Sequence, residues 1–251
     1  MKTVLITGAS SGIGQATAKA LASNHRLILC GRRKDRLDEL AQELTTLTET
    51  HILTFDVSNK EAVFEAIASL PESWKNIDVL INNAGNAHGL ASFQEAELED
   101  LEAMIDINVK GLIYVTKAVL PLLLQHNKGG HIVNLSSIAG KETYANGTVY
   151  CASKAAVESI SKGLRFDLLS KGIKVTNVAP GAVETEFSMV RFKGDSDKAN
   201  QIYKGYQPLA AEDIANAIAY AINQPDHVQL ADITLFPKAQ ASGTSIHRQS
   251  E

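Results

Sequence analysis

The sequence has few cysteines, few prolines and no long hydrophobic run. Its 251 residues include six prolines and two cysteines, Cys30 and Cys151, which stand too far apart to form a CxxC pair. This cysteine usage excludes a disulfide framework and offers no metal-ligand spacing, so we expect no metal site. The longest apolar run, residues 118–124, contains Pro121 and is far shorter than the roughly 20 residues that span a bilayer. We therefore predict no membrane-spanning helix.

The chain also lacks an excess of positive charge. Lys and Arg number 24 against 28 Asp and Glu, which gives a net charge of −4. A mildly acidic chain has no general attraction to nucleic acid or to anionic membranes, so we expect neither as a partner. The apolar segment near the N-terminus, residues 4–6, is shorter than the about 7–15 residues of a secretory signal core. We therefore expect a cytoplasmic protein.

Short β-branched runs alternate with segments of helical periodicity along the whole chain. The runs predict strands at residues 3–7, 26–30, 52–55, 79–82, 132–135, 175–178 and 233–236. The first two are followed by predicted helices at residues 13–22 and 34–47. Because the strands are apolar almost throughout, they are typical of a parallel sheet covered by helices on both faces. We predict one α/β domain over residues 1–251, doubly wound around a seven-stranded parallel sheet.

A glycine-rich turn follows the first predicted strand. Gly8, Gly12 and Gly14 have the spacing G-x-x-x-G-x-G and stand between a strand and a helix. Glycines let the backbone turn tightly and approach a ligand, and a helix N-terminus offers N–H groups to phosphate. The turn therefore predicts a site for the pyrophosphate of a dinucleotide. A glycine-rich turn that binds no ligand is the alternative.

Two arginines stand at the end of the second predicted strand. A carboxylate at this place would accept a hydrogen bond from the ribose 2′-OH of NAD, whereas arginine accommodates the 2′-phosphate of NADP. Here the residues are Arg32 and Arg33. Guanidinium groups bind phosphate well, so the sequence favours NADP. The alternative is that both arginines only solvate the start of a charged helix.

Polar and small residues follow the third and fourth predicted strands. Asp56 and Val57 come after the third strand, and Asn83, Ala84 and Gly85 come after the fourth. Ligands of open α/β sheets bind outside the carboxyl ends of the strands, so these residues should face the same crevice. Asp56 is suited to the adenine amino group, and the small pair lets the backbone approach a ribose. A helix cap or a simple turn is the alternative for each.

Tyr150 and Lys154 are the candidate proton-transfer pair. Residues four apart on a helix share a face, so the ammonium group should lie near the phenol and lower its pKa. Ser137 ends the fifth predicted strand, where its hydroxyl can donate to a carbonyl oxygen. Asn108 stands on a predicted helix although asparagine is a poor helix former, which suggests a task for its amide. The alternatives are a turn or cap for Ser137 and a satisfied buried polar group for Asn108.

Together these motifs resemble the short-chain dehydrogenase/reductase family over residues 2–236. The resemblance rests on Thr7-Gly8-x-x-x-Gly12-x-Gly14, Asp56, Asn82-Asn83-Ala84-Gly85, Asn108, Ser137, Tyr150-x-x-x-Lys154 and Pro180-Gly181. It implies a Rossmann-like fold, a homotetramer, and NADP bound by Gly8, Ser10, Ser11, Gly12, Ile13, Gly14, Arg32, Arg33, Asp56, Val57, Asn83, Ala84, Gly85, Tyr150, Lys154, Pro180, Gly181, Val183 and Thr185.

The resemblance also implies a role for each candidate catalytic residue. Tyr150 is expected to be the general acid/base, and Lys154 to lower its pKa and hold the nicotinamide ribose. Ser137 is expected to polarise the substrate carbonyl, and Asn108 to hold a water that links Lys154 to solvent. Thr185 is the expected hydroxyl contact of the nicotinamide carboxamide.

A long segment after Gly181, residues 182–210, predicts a substrate loop. It resembles the corresponding loop of NADP-dependent 3-hydroxy acid dehydrogenases, which also oxidise serine and allo-threonine. Such substrates carry a carboxylate, so Arg191 or Lys193 could pair with it. Both could instead be surface charges. The polar tail at residues 239–251 is either disordered or packed on a neighbouring subunit.

The leading prediction is therefore hydride transfer between NADP and a small 3-hydroxy acid. Three alternatives stay open: a reductase of uncharged ketones or aldehydes, an NADP(H)-sensing protein without turnover, and an epimerase or dehydratase. The intact set of Ser137, Tyr150 and Lys154 favours an enzyme over a sensor. Epimerases and dehydratases with the same tyrosine and lysine usually carry a larger C-terminal domain.

Overall fold

A computed structural model describes residues 1–125 and 129–249 of the chain. Its centre is a sheet of seven parallel strands in the order β3-β2-β1-β4-β5-β6-β7. The strands are β1 (Lys2–Thr7), β2 (His25–Gly31), β3 (Thr50–Thr54), β4 (Val79–Asn82), β5 (Gly130–Leu135), β6 (Ile173–Pro180) and β7 (Asp232–Leu235). The prediction of a seven-stranded parallel sheet is confirmed.

Helices cover both faces of this sheet. They are α1 (Gly12–Leu21), α2 (Lys34–Leu44), α3 (Lys60–Ala68), α4 (Leu98–Ile105), α5 (Leu112–Leu124), α6 (Thr148–Asp167), α7 (Glu186–Arg191), α8 (Ser196–Gln201) and α9 (Ala211–Ile222). One core contains residues of α1, α2 and α9, and the other contains residues of α3 and α5. The doubly wound arrangement is therefore confirmed.

Alternate residues of the strands enter the two cores. In β1, Val4 and Ile6 belong to one core, whereas Leu5 belongs to the other. In β2, Leu27 and Leu29 alternate with Ile28 in the same way. Because successive side chains of a strand point to opposite faces, a strand buried on both faces must be apolar throughout. This is why the strand sequences show no polar alternation.

The substrate segment, which we define as residues 182–210, differs from the predicted loop because it contains two short helices. Thr185 caps α7 by accepting from the backbone N–H of Phe187 at 3.2 Å, and Asp195 caps α8 through Lys198 at 3.1 Å. The two ends of the segment meet where the N–H of Leu209 donates to the carbonyl of Ala182 at 3.0 Å. Capping residues within the segment therefore stabilise two short helices where a loop was predicted.

The helical stretch that includes α4 and α5 bears on the predicted absence of a membrane span. Among the described residues, Leu98–Leu124 is long and apolar enough to cross a membrane by length and composition alone. Polar residues interrupt this stretch, so it contains no long uninterrupted apolar run. Core helices of globular proteins meet the same criterion, and Val115, Val119 and Leu123 are buried in one of the two cores. Length and composition are therefore weak support for a span.

The C-terminal tail packs on its own chain as far as residue 249. The N–H of Gln249 donates to the carbonyl of Gly205 at 2.8 Å, and the Arg248 guanidinium lies 5.1 Å from the Tyr206 ring centroid. Gln240 accepts from the backbone N–H of Ala182 at 2.9 Å. The tail therefore contacts the substrate segment of its own chain, and its packing on a neighbouring subunit stays a prediction. Residues 250 and 251 of the predicted tail lie outside the described residues.

Candidate active site

A cavity of about 540 Å³ lies where the carboxyl ends of the strands meet. It brings together most of the residues predicted to bind cofactor or substrate. Lining residues from that prediction are Gly8, Ser10, Ser11, Gly12, Ile13, Arg32, Arg33, Asp56, Val57, Asn83, Ala84, Gly85, Ser137, Tyr150, Lys154, Pro180, Gly181, Val183, Thr185 and Arg191. Gly14 and Asn108 lie behind this lining, where they support it.

The glycine-rich turn is closed by direct backbone contact. Gly8 has a φ of +66°, which L side chains rarely adopt. A Cβ atom on Gly14 would lie 2.3 Å from the carbonyl oxygen of Gly8, so the first turn of α1 can approach β1 only without a side chain there. The close approach leaves the N-terminus of α1 facing the cavity. This geometry suits a phosphate group, because helix N-termini carry unpaired N–H groups and a partial positive charge.

The turn after β4 is hydrogen-bonded to the glycine-rich turn. The Asn83 side chain donates to the carbonyl of Thr7 at 2.9 Å, and the Thr7 hydroxyl oxygen accepts from the backbone N–H groups of Asn83 and Ala84, each at 3.0 Å. These bonds join the ends of β1 and β4, which are neighbours in the sheet. Asn83 therefore shapes the site, a role beyond the simple turn considered from sequence.

The two predicted phosphate-binding arginines lie on one rim of the cavity. Arg33 donates to the hydroxyl of Ser11 at 2.8 Å and to Glu186 at 3.2 Å. Arg36 donates to the same carboxylate at 2.6 Å. The rim thus already binds one anionic group, the side chain of Glu186 from α7. A guanidinium cluster of this kind fits a phosphate equally well.

Arg32 pairs with Asp56 on the same rim. The guanidinium donates to the carboxylate at 3.3 Å, and the Arg32 side chain remains largely exposed. Burial raises the pKa of Asp56, but hydrogen bonds from Ser58 and the charge of Arg32 outweigh burial and hold that pKa below its ordinary value. Asp56 is therefore an anionic acceptor beside the cavity, as a contact with an adenine amino group requires.

Ser137, Tyr150 and Lys154 converge at the other end of the cavity. Ser137 follows β5, accepts from the N–H of Ala139 at 3.1 Å and makes a side-chain hydrogen bond with Tyr150. The Lys154 ammonium donates to the carbonyl of Leu135 at 2.9 Å and lies 6.0 Å from the Tyr150 ring centroid. Tyr150 and Lys154 are both buried, on successive turns of α6. The helical spacing thus places both groups against the end of β5.

Burial dominates the electrostatics of this pair. It lowers the pKa of Lys154 to about 8. Burial raises the pKa of Tyr150, and the nearby Tyr144 adds to this rise. The hydrogen bond with Ser137 and the charge of Arg191 act in the opposite direction. The sequence-based expectation of a lowered Tyr150 pKa is wrong for this structure. Removing the phenol from water disfavours its charged form by more than the Ser137 hydrogen bond and the Arg191 charge favour it.

Asn108 supports the site from behind. It stands in a π-helical turn, Asp106–Gly111, between α4 and α5. Its amide nitrogen donates to the carbonyl of Asn86 and to Ser153 at 2.8 and 3.0 Å, and its oxygen accepts from the N–H of Asn86 at 2.8 Å. Asn108 thereby fixes the chain directly after Gly85. π-helical turns often mark functional sites, which fits the presence of asparagine, a poor helix former, at this position.

The structure separates the two candidate carboxylate-binding residues. The Arg191 guanidinium lies 5.5 Å from the Tyr150 ring centroid and lines the cavity. The Lys193 ammonium instead pairs with Asp100 at 2.8 Å, on the exposed side of the segment. Arg191 therefore lies in the cavity beside Tyr150, whereas Lys193 forms an ion pair at the surface.

Several cavity residues escaped the sequence analysis. They come from the loop before α6, the substrate segment and the tail, and they are Tyr144, Phe187, Tyr203, Tyr206, Gln240 and Ile246. The Phe187 ring packs 5.9 Å from the Tyr150 ring. These residues carry no spacing signal, because their approach depends on how the segment and tail fold over the sheet edge. The resemblance of the segment to a substrate loop pointed only toward Phe187, Tyr203 and Tyr206.

A family model described as short chain dehydrogenase matches residues 2–196, well over half of the chain. The chain belongs to the short-chain dehydrogenase family. The NADP-dependent 3-hydroxy acid dehydrogenase YdfG of Salmonella typhi is 46% identical to it over 248 residues, which are 98% of this chain and 99% of the relative. The serine 3-dehydrogenase of Agrobacterium fabrum is 41% identical over 250 residues, covering 99% of both chains.

A solved structure extends these similarities to the fold of this short-chain dehydrogenase. The closed form of a serine dehydrogenase complexed with NADP⁺ matches 98% of the present chain and 100% of its own, with a TM-score of 0.92 and 44% identity. Since coverage is nearly complete on both sides, the tail and substrate segment are included in the likeness. The family expected from the motifs is confirmed.

Burial of Lys154 predicts a pH-dependent stability for the protein without cofactor. Between pH 8 and 10 the unfolded chain keeps the Lys154 proton, because its ordinary pKa is 10.5, while the folded chain loses it. Stability therefore rises with pH in this window. The free energy of unfolding of the wild type minus that of Lys154→Met should increase by on the order of 2 kcal/mol from pH 8 to 10.

Urea denaturation across this range measures the difference. The same substitution at exposed Lys60 controls for the general loss of a lysine. A difference for Lys154→Met that stays constant or falls from pH 8 to 10 would contradict a burial-lowered pKa.

Proposed function

We propose that this short-chain dehydrogenase transfers hydride between NADP and the hydroxyl or carbonyl group of a small 3-hydroxy acid. The observation that carries the proposal is the composition of the cavity. One end has the glycine-rich turn and the guanidinium groups of Arg32 and Arg33. The other end has Ser137, Tyr150 and Lys154, with Arg191 beside them. The relatives' names agree with this composition, since they specify NADP dependence and 3-hydroxy acids or serine.

The residues present fit the proposed cofactor. The N-terminus of α1 suits the pyrophosphate. Arg33 already binds one anionic group, the carboxylate of Glu186, and a phosphate group offers it similar oxygen acceptors. Gly85 leaves room for a ribose near Lys154, because a Cβ atom there would lie only 3.3 Å from the ammonium nitrogen. Pro180, Gly181 and Thr185 also line the cavity, and the Ser137 hydroxyl donates to the Pro180 carbonyl at 3.4 Å. When bound, NADP⁺ supplies the acceptor of the hydride.

The protein's own residues then handle the proton and the developing charge. In oxidation, Tyr150 as the phenolate takes the proton of the substrate hydroxyl while the hydride leaves the carbon that carries this hydroxyl, and in reduction the Tyr150 hydroxyl gives the proton back. The Ser137 hydroxyl donates to the substrate oxygen and stabilises charge on it. The Lys154 ammonium, fixed by Leu135, holds the ribose and places positive charge near Tyr150. Asn108 is assigned the water that connects Lys154 to solvent.

Arg191 gives the proposal its substrate class. A guanidinium that flanks the acid/base tyrosine can bind a carboxylate while the neighbouring hydroxyl reacts, which is the arrangement a short hydroxy acid requires. Oxidation of uncharged alcohols is the second candidate, and it is favoured by the aromatic residues Tyr144 and Phe187 in the same wall. The test is an assay of NADPH formation with serine, allo-threonine, 3-hydroxybutyrate, 3-hydroxypropionate and simple alcohols, using NADP⁺ and NAD⁺ in parallel.

We also propose that the enzyme is a cytoplasmic homotetramer. Support for assembly comes from large apolar side chains that lie exposed on or near α5 and α6, namely Ile113, Phe166 and Leu169. The Phe166 and Leu169 side chains are 81% and 75% exposed, and their burial between subunits would favour assembly. The mass of the protein in solution tests this assembly.

The guanidinium rim predicts the nucleotide preference. Replacing both Arg32 and Arg33 by Ala removes the charge-assisted hydrogen bonds to a 2′-phosphate, so kcat/KM for NADP⁺ should fall roughly a hundredfold while that for NAD⁺ changes little. Lys34→Ala is the matched control, because Lys34 directly follows the two arginines but its ammonium group pairs with Asp38 at 2.8 Å. Equal losses for both nucleotides would instead mean that the arginines act by holding the glycine-rich turn.

The position of Arg191 predicts a selective effect on charged substrates. In Arg191→Ala the KM for 3-hydroxybutyrate should rise at least about tenfold, with little change for butane-1,3-diol, because only the acid loses a charge-assisted pair. Lys193→Ala removes a cation from the same segment and should leave both KM values unchanged. Comparable rises for acid and diol would contradict carboxylate recognition by Arg191.

A further inference from the structure

Tyr144 is a cavity residue for which the reaction scheme has no role. It lies in the loop between Ser137 and α6 and lines the cavity together with Arg191. Tyr144 packs against the buried cluster that contains Tyr150, and the Arg191 guanidinium lies 5.5 Å from the Tyr150 ring centroid, so both side chains lie beside the same ring. Burial raises the pKa of Tyr144, and the charge of Arg191 opposes that rise. A tyrosine at this position needs an explanation beyond filling space, since its hydroxyl is directed at a charged residue.

The ring of Tyr144 is fixed from two sides by glycines. A Cβ atom on Gly147 would lie 2.2 Å from the ring, so only glycine permits this approach. On the other side, a Cβ atom on Gly243 would lie 3.5 Å from the ring. Gly243 belongs to the C-terminal tail, and its N–H donates to Glu142 at 2.8 Å. The ring therefore sits between the loop before α6 and the tail.

The hydroxyl of Tyr144 lies within reach of the Arg191 and Cys151 side chains. Arg191 is held at a second point, because its Nε donates to the carbonyl of Gly89 at 3.0 Å and its own carbonyl accepts from the N–H of Gly89 at 2.8 Å. A guanidinium has five N–H donors, so these contacts orient it and leave donors for a ligand. An oriented guanidinium loses less freedom when it binds a carboxylate than a mobile one.

We propose that Tyr144 is a positioning residue that holds the Arg191 guanidinium against the carboxylate of the substrate and thereby sets the preference for 3-hydroxy acids. The inference rests on the proposed function, because it assigns Arg191 the same carboxylate. It adds that selectivity depends on a neutral hydroxyl that does not touch the reacting atoms. The tail contributes to selectivity through its contact with the Tyr144 ring.

Tyr144→Phe isolates the hydroxyl, because the ring keeps its place between the two glycines. The KM for 3-hydroxybutyrate should rise roughly fivefold to tenfold, with kcat within about twofold and the KM for butane-1,3-diol unchanged. Tyr220→Phe, which removes a hydroxyl from the exposed face of α9, is the matched control. If the substitution only disturbed the packing of the cavity, the KM values for the acid and the diol would rise alike.

A double substitution sharpens the test. If Tyr144 acts through Arg191, adding Tyr144→Phe to Arg191→Ala should cause no further rise in the KM for the acid. Additive effects, or equal effects on acid and diol, would overturn the positioning role. If the wild type oxidises the diol but not the acid, the proposed substrate class fails together with this inference. If the wild type oxidises the acid and Tyr144→Phe retains its KM, only the positioning role fails.

Discussion

The docking of α6 against the end of β5 is the constraint on which the catalytic geometry depends. The Lys154 ammonium donates to the carbonyl of Leu135 at 2.9 Å, and the Ser136 hydroxyl donates to the carbonyl of Lys154 at 3.1 Å. A Cβ atom on Gly140 would lie 2.7 Å from the Lys154 backbone, so the turn after β5 and the helix are in direct contact. This contact places Tyr150 beside Ser137 and buries both Tyr150 and Lys154.

The two ends of the cavity differ in how far their charged groups are buried. At the chemical end burial disfavours charge on both Tyr150 and Lys154. The cation of Arg191 and the hydrogen bond with Ser137 oppose the rise of the Tyr150 pKa. At the nucleotide end the arginines remain partly exposed and pair with Asp56 and Glu186. Glu186 and Arg191 start and end the same short helix, α7, so one element of the substrate segment touches both ends.

The fold and the centre of the site could be predicted because each depends on local pattern. Doubly buried strands are apolar throughout, and the turns that bind a dinucleotide require glycine at positions such as Gly14. The wall of the substrate pocket could not be predicted in this way, because Tyr144 and Ile246 approach the cavity only through tertiary contacts. The sign of the Tyr150 pKa shift was also missed, since sequence shows the neighbouring lysine but not the extent of burial.

The central claim is that Tyr150 transfers the proton while the cofactor is held by other residues. The most direct measurement compares Tyr150→Phe with the wild type in two assays, NADPH binding followed by fluorescence and NADPH formation from 3-hydroxybutyrate. The account predicts unchanged NADPH affinity and a fall in turnover of at least about a hundredfold, the usual contribution of a general acid/base. Turnover of the variant close to that of the wild type, with NADPH still bound, would contradict it.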